Sequence, residues 1–570
     1  MAKLSSITRA KAIVAILAGC TLVIPAGAAQ NISVQRQYQL GSQNTATADP
    51  PVPRPNTKPC FVQLFSNYLF EDYNSQSFQY TPPTACPGPW AKVVFVGNFA
   101  VSAGIQYDRT GNIWIGATNI WFGTTPEPMS NFGPTWHVER DLTDYSSLFT
   151  TPQTGTVDIF NIVNSQYTGI ISGSTALEFY PLANGQTAPR TADVVLPLSA
   201  GPTGGTVALN TTADQLAGTF TMPTNVEAAY LDVYAQGQSS DEFWYTCVPD
   251  DVATELESCT GTAFRETEIS IDGTPAGVAP VYPWIFTGGI DPYLWSPIPG
   301  VQTLDFIPYR VDLSPFAGLL SNGQPHTVAL SVFNADSYFS ATASLLLYLD
   351  SGSTQVTGAI THNTLSAAPT PVVLENINTV NGATVGAVKV TSERTYIIEG
   401  YVDTSHGRVN TEVSDLVNFS SVERFDISSL QYVQDITQDN DLSSASAVTD
   451  HGTTTYTSQS FGYPLNLDIS VAYNSDGSGV QTTKVNQQYN TTSSVGNQRG
   501  EYDSTGSNVV TATDMLDFNS SGEITGNTGQ KSSQNYSFTS SSPGGDQCYE
   551  RTIRAANGVL TGVQNSCSSQ

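Results

Sequence analysis

Charge is scarce in this sequence: only 12% of its 570 residues are Asp, Glu, Lys or Arg. Basic residues are scarcest, 21 Lys and Arg against 49 Asp and Glu, which gives a formal net charge of −28. Such a surface repels nucleic acid and anionic membranes, so neither is an expected partner. It suits an acidic extracellular or vacuolar setting, although the same charge also serves plain solubility. Histidine is limited to His137, His326, His362, His406 and His451. They are scattered through strand-like sequence, which favours surface or packing roles and disfavours Ser–His nucleophilic catalysis. There is no G-x-S-x-G elbow, no H-E-x-x-H and no P-loop. No C-x-x-C occurs either, so neither a zinc site nor a redox motif is expected. The abundant reactive groups are carboxylates, which suit acid–base chemistry on an amide or glycosidic bond.

Long apolar runs are also missing, with one exception. Lys3, Arg9 and Lys11 precede an apolar stretch from Ala12 to Ile24, and small residues follow at Ala26-Gly27-Ala28-Ala29. This pattern predicts a signal peptide over 1–29. The stretch is short for a spanning helix, so membrane attachment is expected only if the leader stays uncleaved as an anchor. Secretion to the extracellular side follows. Cys20 leaves with the leader, and Cys60, Cys86, Cys247, Cys259, Cys548 and Cys567 remain. Six cysteines allow many pairings, among which sequence alone does not choose. Because they fall in three close couples, the expected bridges are Cys60–Cys86, Cys247–Cys259 and Cys548–Cys567. Six N-glycosylation acceptors, at Asn31, Asn210, Asn418, Asn490, Asn519 and Asn535, fit the secretory pathway.

What the chain has in quantity is Ser, Thr, Gly, Asn and aromatic residues, the profile of a mostly β protein. Residues 30–56 form a polar, proline-bearing lead-in, read as a linker or propeptide. From Lys58 onward strands dominate, including Lys92–Val101 and Asn112–Phe122, with short helical turns at Asp144–Phe149 and Ser314–Leu320. All seven tryptophans lie between Trp90 and Trp295. That break, with Ala-Ala-Pro-Thr-Pro at 367–371, places a boundary near residue 360. Beyond it, 361–570 is Ser/Thr/Asn/Gly-rich yet strand-patterned, and an ordered β-rich domain is expected.

Two clusters join carboxylates to aromatics: Gly104-Ile105-Gln106-Tyr107-Asp108-Arg109, and Ser240-Asp241-Glu242-Phe243-Trp244-Tyr245. A sugar site needs both, a flat apolar face for the pyranose and charge for hydroxyls and proton transfer. A structural ion pair or a half-buried strand would look the same.

Ordered blocks then add a resemblance. Pro-Cys-x-Val-x-Leu around Cys60, Tyr80-Thr81-Pro82-Pro83, Cys86-Pro-Gly-Pro-Trp90, Gln106–Arg109, Thr124–Pro128 and Trp136–Tyr145 form one set. Asp241–Tyr245, Phe264-Arg265-Glu266, Ile269–Gly273, Tyr282–Trp295 and Tyr309–Phe316 form a second, and Gln547-Cys548-Tyr549 with Cys567 closes the chain. Together they resemble the peptide:N-glycosidase A family, from about residue 57 onward and most weakly between about 360 and 530. A thinner similarity runs to the bacterial peptide:N-glycosidase F type.

The resemblance implies an amidase that hydrolyses the linkage between asparagine and the innermost N-acetylglucosamine of N-glycosylated peptides or proteins, with no metal or cofactor. It implies tandem jelly rolls, at 57–190 and 191–360, before the C-terminal domain, in a monomer. It assigns Asp108 the principal catalytic role. The second carboxylate of the bacterial type falls here on Thr260–Ala263, which holds no acid, so Glu242 is nominated, with Asp241 and Glu266 as substitutes. Arg109 is expected to anchor a carboxylate, and Trp244, Tyr245, Trp284 and Trp295 are candidate substrate platforms. A glycan-binding jelly roll without catalysis, or a glycosidase cutting within the chitobiose core, would use similar residues.

Overall fold

A computed structural model describes residues 36–567, apart from Arg499 and Gly544. The predicted leader and Asn31 lie outside the described residues. Strands are the dominant element among the described residues, as expected, and helix is confined to short turns.

The first unit runs β1 (Cys60–Phe70), β2 (Gln76–Tyr80), β3 (Trp90–Val101), β4 (Thr110–Ile115), β5 (Thr118–Thr124), β6 (Thr135–Asp141), β7 (Gln153–Ile159) and β8 (Ile171–Pro181). Its two sheets have the orders β1-β8-β3-β6 and β2-β7-β4-β5, the wrapped arrangement of an eight-stranded jelly roll. Side-chain alternation builds the core between them. In β8, Ile171, Gly173, Thr175, Leu177 and Phe179 are buried while the residues between are half-buried. The stretch 112–122 is two strands rather than the single one expected. Gly116, at φ 56°, makes the tight turn between β4 and β5, a left-handed conformation that glycine takes without steric cost.

The second unit repeats the plan. It comprises β9 (Val194–Leu198), β10 (Val207–Leu209), β11 (Leu216–Thr221), β12 (Val226–Gln238), β13 (Glu266–Ile271), β14 (Thr274–Pro280), β15 (Tyr309–Asp312), β16 (Pro325–Phe333) and β17 (Tyr338–Leu349). The orders β10-β17-β12-β15 and β11-β16-β13-β14 reproduce those of the first unit, with β9 added on β17. The helical turns fall where the sequence places them, at Thr143–Thr150 and over Ser314–Leu320.

From Thr357 to Asn565 the chain forms one twelve-stranded antiparallel sheet of long hairpins. The pair Ala383–Thr404 and Gly407–Ser428 has 22 residues in each strand. A single sheet must bury one face, and this one lies against the second jelly roll. Phe419, Ile436, Leu465, Leu467 and Val485 join the same core as Trp244, Phe264 and Tyr282. Residues 36–49 run as a packed strap. Gly41 and Ser42 pair with Leu560, Thr45 with Thr135 and Ala46 with Pro297, so one segment touches all three units. The bridges Cys60–Cys86, Cys247–Cys259 and Cys548–Cys567 form as expected. Asn210 is exposed, and Asn418, Asn490, Asn519 and Asn535 are half-buried. Among the described residues no helix is long and apolar enough to cross a membrane.

Candidate functional site

Three carboxyl groups meet where the two jelly rolls adjoin. Asp108 lies in the loop entering β4, and Glu127 follows β5, held between Pro126 and Pro128. Glu242 rides on the short 3-10 turn Ser239–Thr246 that leaves β12. All three are half-buried.

The loop around Asp108 is rigid for local reasons. The Arg109 amide donates to Thr125 Oγ1 (2.9 Å), and the Thr125 amide donates back to the Arg109 carbonyl (3.0 Å). The Arg109 guanidinium donates to Gln106 Oε1 (2.6 Å) and Asn161 Oδ1 (3.2 Å). Arg109 therefore braces the loop from within instead of reaching outward. The Asp108 amide points at Glu127 Oε1 (3.4 Å), which ties the first two acids together.

The second jelly roll contributes Gly288, whose backbone N–H bonds the Asp108 carboxylate. A Cβ at this position would stand 2.5 Å from Glu127 Oε1 and 2.7 Å from Asp108 Oδ1, so any side chain here would push the two carboxylates from their present places. Neighbours fix its place: Thr287 Oγ1 donates to the Thr125 carbonyl (2.8 Å), and Trp295 Nε1 donates to the Gly289 carbonyl (2.9 Å). Glu242 is positioned through Asp241. The Asp241 carboxylate accepts from Arg265 Nε (3.0 Å) and Nη2 (2.8 Å), and its other oxygen accepts from the Asp336 and Ser337 amides. Arg265 Nη1 meanwhile donates to the carbonyls of Gly261, Thr262 and Phe264, each at 2.9 Å. This buried, saturated pair latches the Glu242 turn to the start of β13.

Burial sets the electrostatics. Desolvation, partly offset by backbone donors and Arg109, raises the Asp108 carboxyl to about 6. Desolvation and then the charge of Asp108 raise Glu127 to about 7. Desolvation, then Asp108, then Glu127 raise Glu242 to about 8. Three mutually repelling acids with graded values supply both a base and an acid near neutral pH.

The remaining nominated residues lie elsewhere. Asp241 is an internal ion-pair partner with no free carboxylate oxygen. Glu266 is buried against Arg394, which also binds Glu268, on the side facing the C-terminal sheet. Trp244, Tyr245, Trp284 and Trp295 are core residues with no more than 7% of their surface exposed, and they offer a substrate no face. Trp244 packs on Tyr245 and Phe419, and Trp284 on Phe306. The exposed aromatic at the site is Tyr107, beside Asp108, with its ring 5.6 Å from that of Tyr167. Sequence reasoning missed Glu127 and Gly288. Their signals were a lone acid between two prolines and a Gly-Gly pair, each inside a block that carried the resemblance.

The profile of the Peptide N-acetyl-beta-D-glucosaminyl asparaginase amidase A family matches residues 50–366, which contain the three carboxyl groups. The chain is similar to the Peptide-N4-(N-acetyl-beta-glucosaminyl)asparagine amidase A of Prunus dulcis, at 31% identity over 384 residues. That match takes in 63% of this chain and 66% of the almond protein, just under two thirds of the relative's length. Among solved structures, PNGF-II matches with a TM-score of 0.35 at 13% identity, over 51% of this chain and 66% of its own. PNGase F of Flavobacterium meningosepticum matches with a TM-score of 0.34 at 14% identity, over 51% and 96%. By its profile match across more than half its length, the chain belongs to the peptide N-acetyl-beta-D-glucosaminyl asparaginase amidase A family.

Proposed function

We propose that the protein hydrolyses the amide between the asparagine side chain and the innermost N-acetylglucosamine of N-glycosylated peptides or proteins, outside the cell. The observation that carries this reading is the trio Asp108, Glu127 and Glu242, held between two jelly rolls with graded, raised acidities. An amide is a poor leaving group until its nitrogen receives a proton, so the reaction needs an acid that survives near neutrality. Glu242, highest of the three, fills that role. Asp108 ionises first and orients the attacking water and the sugar side of the bond. Glu127, between them in value, keeps the proton on Glu242 by its own charge and binds the substrate amide. Water adds its hydroxyl to the carbonyl carbon while its other proton passes to Asp108, the carbon–nitrogen bond breaks, and the nitrogen, protonated by Glu242, leaves as a glycosylamine. Asparagine becomes aspartate. Exposed Tyr107 and half-buried Tyr167 form an aromatic rim suited to a pyranose face. Three disulfides support a secreted protein.

The test is glycan release from a defined N-glycopeptide by the wild type and by Asp108→Asn. The variant is expected to lose release by about 10²–10⁴-fold while its fold is unchanged. An Asp108→Asn protein with wild-type activity would remove that residue from the mechanism. Asparagine left carrying one N-acetylglucosamine would instead mean a glycosidase, and an unchanged but bound peptide a lectin.

A further inference from the structure

Far from this site, two of the five histidines come together. His406 occupies the turn between strands Ala383–Thr404 and Gly407–Ser428. His451 and Asp450 lie at the turn between Gln431–Asp450 and Thr453–Gly462. The imidazole rings stack with centroids 5.5 Å apart. Between them stands the Asp450 carboxylate, with Oδ1 3.2 Å from His406 Nδ1 and 2.7 Å from His451 Nδ1. One ligand atom from each of the three residues falls within a 4.8 Å span. Ligands about 2.0–2.1 Å from a tetrahedral zinc ion stand roughly 3.3 Å apart, so small side-chain adjustments close this set on a cation.

The surroundings complete the case. His406 Nε2 lies 3.1 Å from Glu227 Oε2 on β12. A carboxylate that accepts the N–H of one ring nitrogen leaves the other nitrogen as a lone-pair donor, the arrangement that orients metal-bound histidines. Glu227 is itself held by Arg190 at 3.0 Å. The adjoining Asp350 accepts from the Ser405 amide and hydroxyl at 2.5 and 2.6 Å, which fixes the turn that presents His406. His451 sits at φ 49° beside Gly452 at φ 71°, a two-residue hairpin turn in which asparagine is the favoured first residue. Histidine there is a choice the turn does not require.

We propose that His406, Asp450 and His451 bind one divalent cation of the zinc class, with Glu227 as the carboxylate that orients His406. Two imidazoles and a carboxylate select borderline cations over calcium or magnesium, and water takes the fourth position. The ion pins two hairpin tips of the C-terminal sheet together and, through His406, onto the second jelly roll. Glu227 stands near the end of β12 opposite Glu242, roughly 35 Å away at the rise of an extended strand. The site is therefore structural and independent of the carboxyl trio.

The full chain, tag-free and stripped with chelator, is titrated with ZnCl₂ at pH 7 by calorimetry and followed by thermal melting. One zinc per chain is expected, with a Kd at or below about 1 µM and a raised melting temperature. His451→Asn removes a ligand while suiting the turn, and should weaken binding about tenfold or more and cancel the thermal shift with the fold intact. Glu227→Gln should weaken it about 10–100-fold. Cobalt should give the visible absorption of a tetrahedral N/O site in the wild type and not in His451→Asn. Absence of saturable one-to-one binding, or unaltered binding by His451→Asn, overturns the proposal.

Discussion

Replacing Glu242 by glutamine separates two consequences of the same electrostatics. In the folded protein Glu242 holds its proton to about 8, because burial and the charges of Asp108 and Glu127 disfavour the carboxylate. In the unfolded chain it titrates near 4.5. Between those values the native state binds the extra proton, so stability falls as pH rises through this window. The full interval is worth almost 5 kcal/mol at about 1.4 kcal/mol per pH unit. Water at this half-buried position screens the ionised form and reduces that to about 2 kcal/mol. Glutamine keeps the shape and cannot ionise. Glu242→Gln should therefore match the wild type in thermal stability at pH 4 and exceed it increasingly up to pH 8.5. The same change removes the proposed proton donor, so glycan release should fall by about 10²–10⁴-fold at every pH. A stability gain that is equal at pH 4 and pH 8.5 would refute the electrostatic reasoning. Activity within tenfold of the wild type would refute the assignment of the acid.

Three further outcomes follow from the same geometry. The pH profile of kcat/KM should be bell-shaped, rising as Asp108 ionises near 6 and falling as Glu242 loses its proton near 8. A flat profile between pH 5 and 9 would contradict it. Glu127→Gln removes one of the charges that raise Glu242, so the alkaline limb should move to lower pH while the acidic limb moves little, as initial rates across pH would show. Asp241→Ala strands the buried Arg265 guanidinium and should destabilise the fold by about 3–5 kcal/mol in denaturant titration. An Asp241→Ala protein of undiminished stability would show that the latch is dispensable.

The strand content, the disulfides and the ordered domain after residue 360 were legible because they depend on local pattern and spacing. The turn at Gly116 was not, because apolar residues run on both sides of it and hide a hairpin inside one continuous stretch. Asp108 was singled out by its motif and Glu242 by its cluster, and the structure brings the two together. Asp241, next to Glu242, stood as its substitute, and what separates them is that Arg265, a partner 24 residues away, and the Asp336 and Ser337 amides saturate its carboxylate while Glu242 faces two acids. Glu127 and Gly288 stand on different jelly rolls, and their meeting depends on how β5 docks against the segment 285–306. Tryptophans 244, 284 and 295 looked like sugar platforms because sequence shows an aromatic beside an acid but not which way the ring faces. The C-terminal sheet decides that for Trp244 by supplying Phe419 as its neighbour. That sheet also braces the site from behind: Gln434 Nε2 donates to the Thr246 carbonyl, and Gln487 Nε2 to the Pro283 carbonyl. It thus backs the segments that carry Glu242 and Gly288.

In the proposed reaction water attacks the asparagine side-chain carbonyl under the control of three acids. Mass spectrometry of a single-site N-glycopeptide incubated with the protein in water enriched in heavy oxygen tests it most directly. A deglycosylated peptide is expected with aspartate at the former glycosylation site, carrying one heavy oxygen in its side chain, and with Asp108→Asn about 10²–10⁴-fold less of it. Heavy oxygen found on the released sugar at its first appearance, with asparagine left in the peptide, would contradict it.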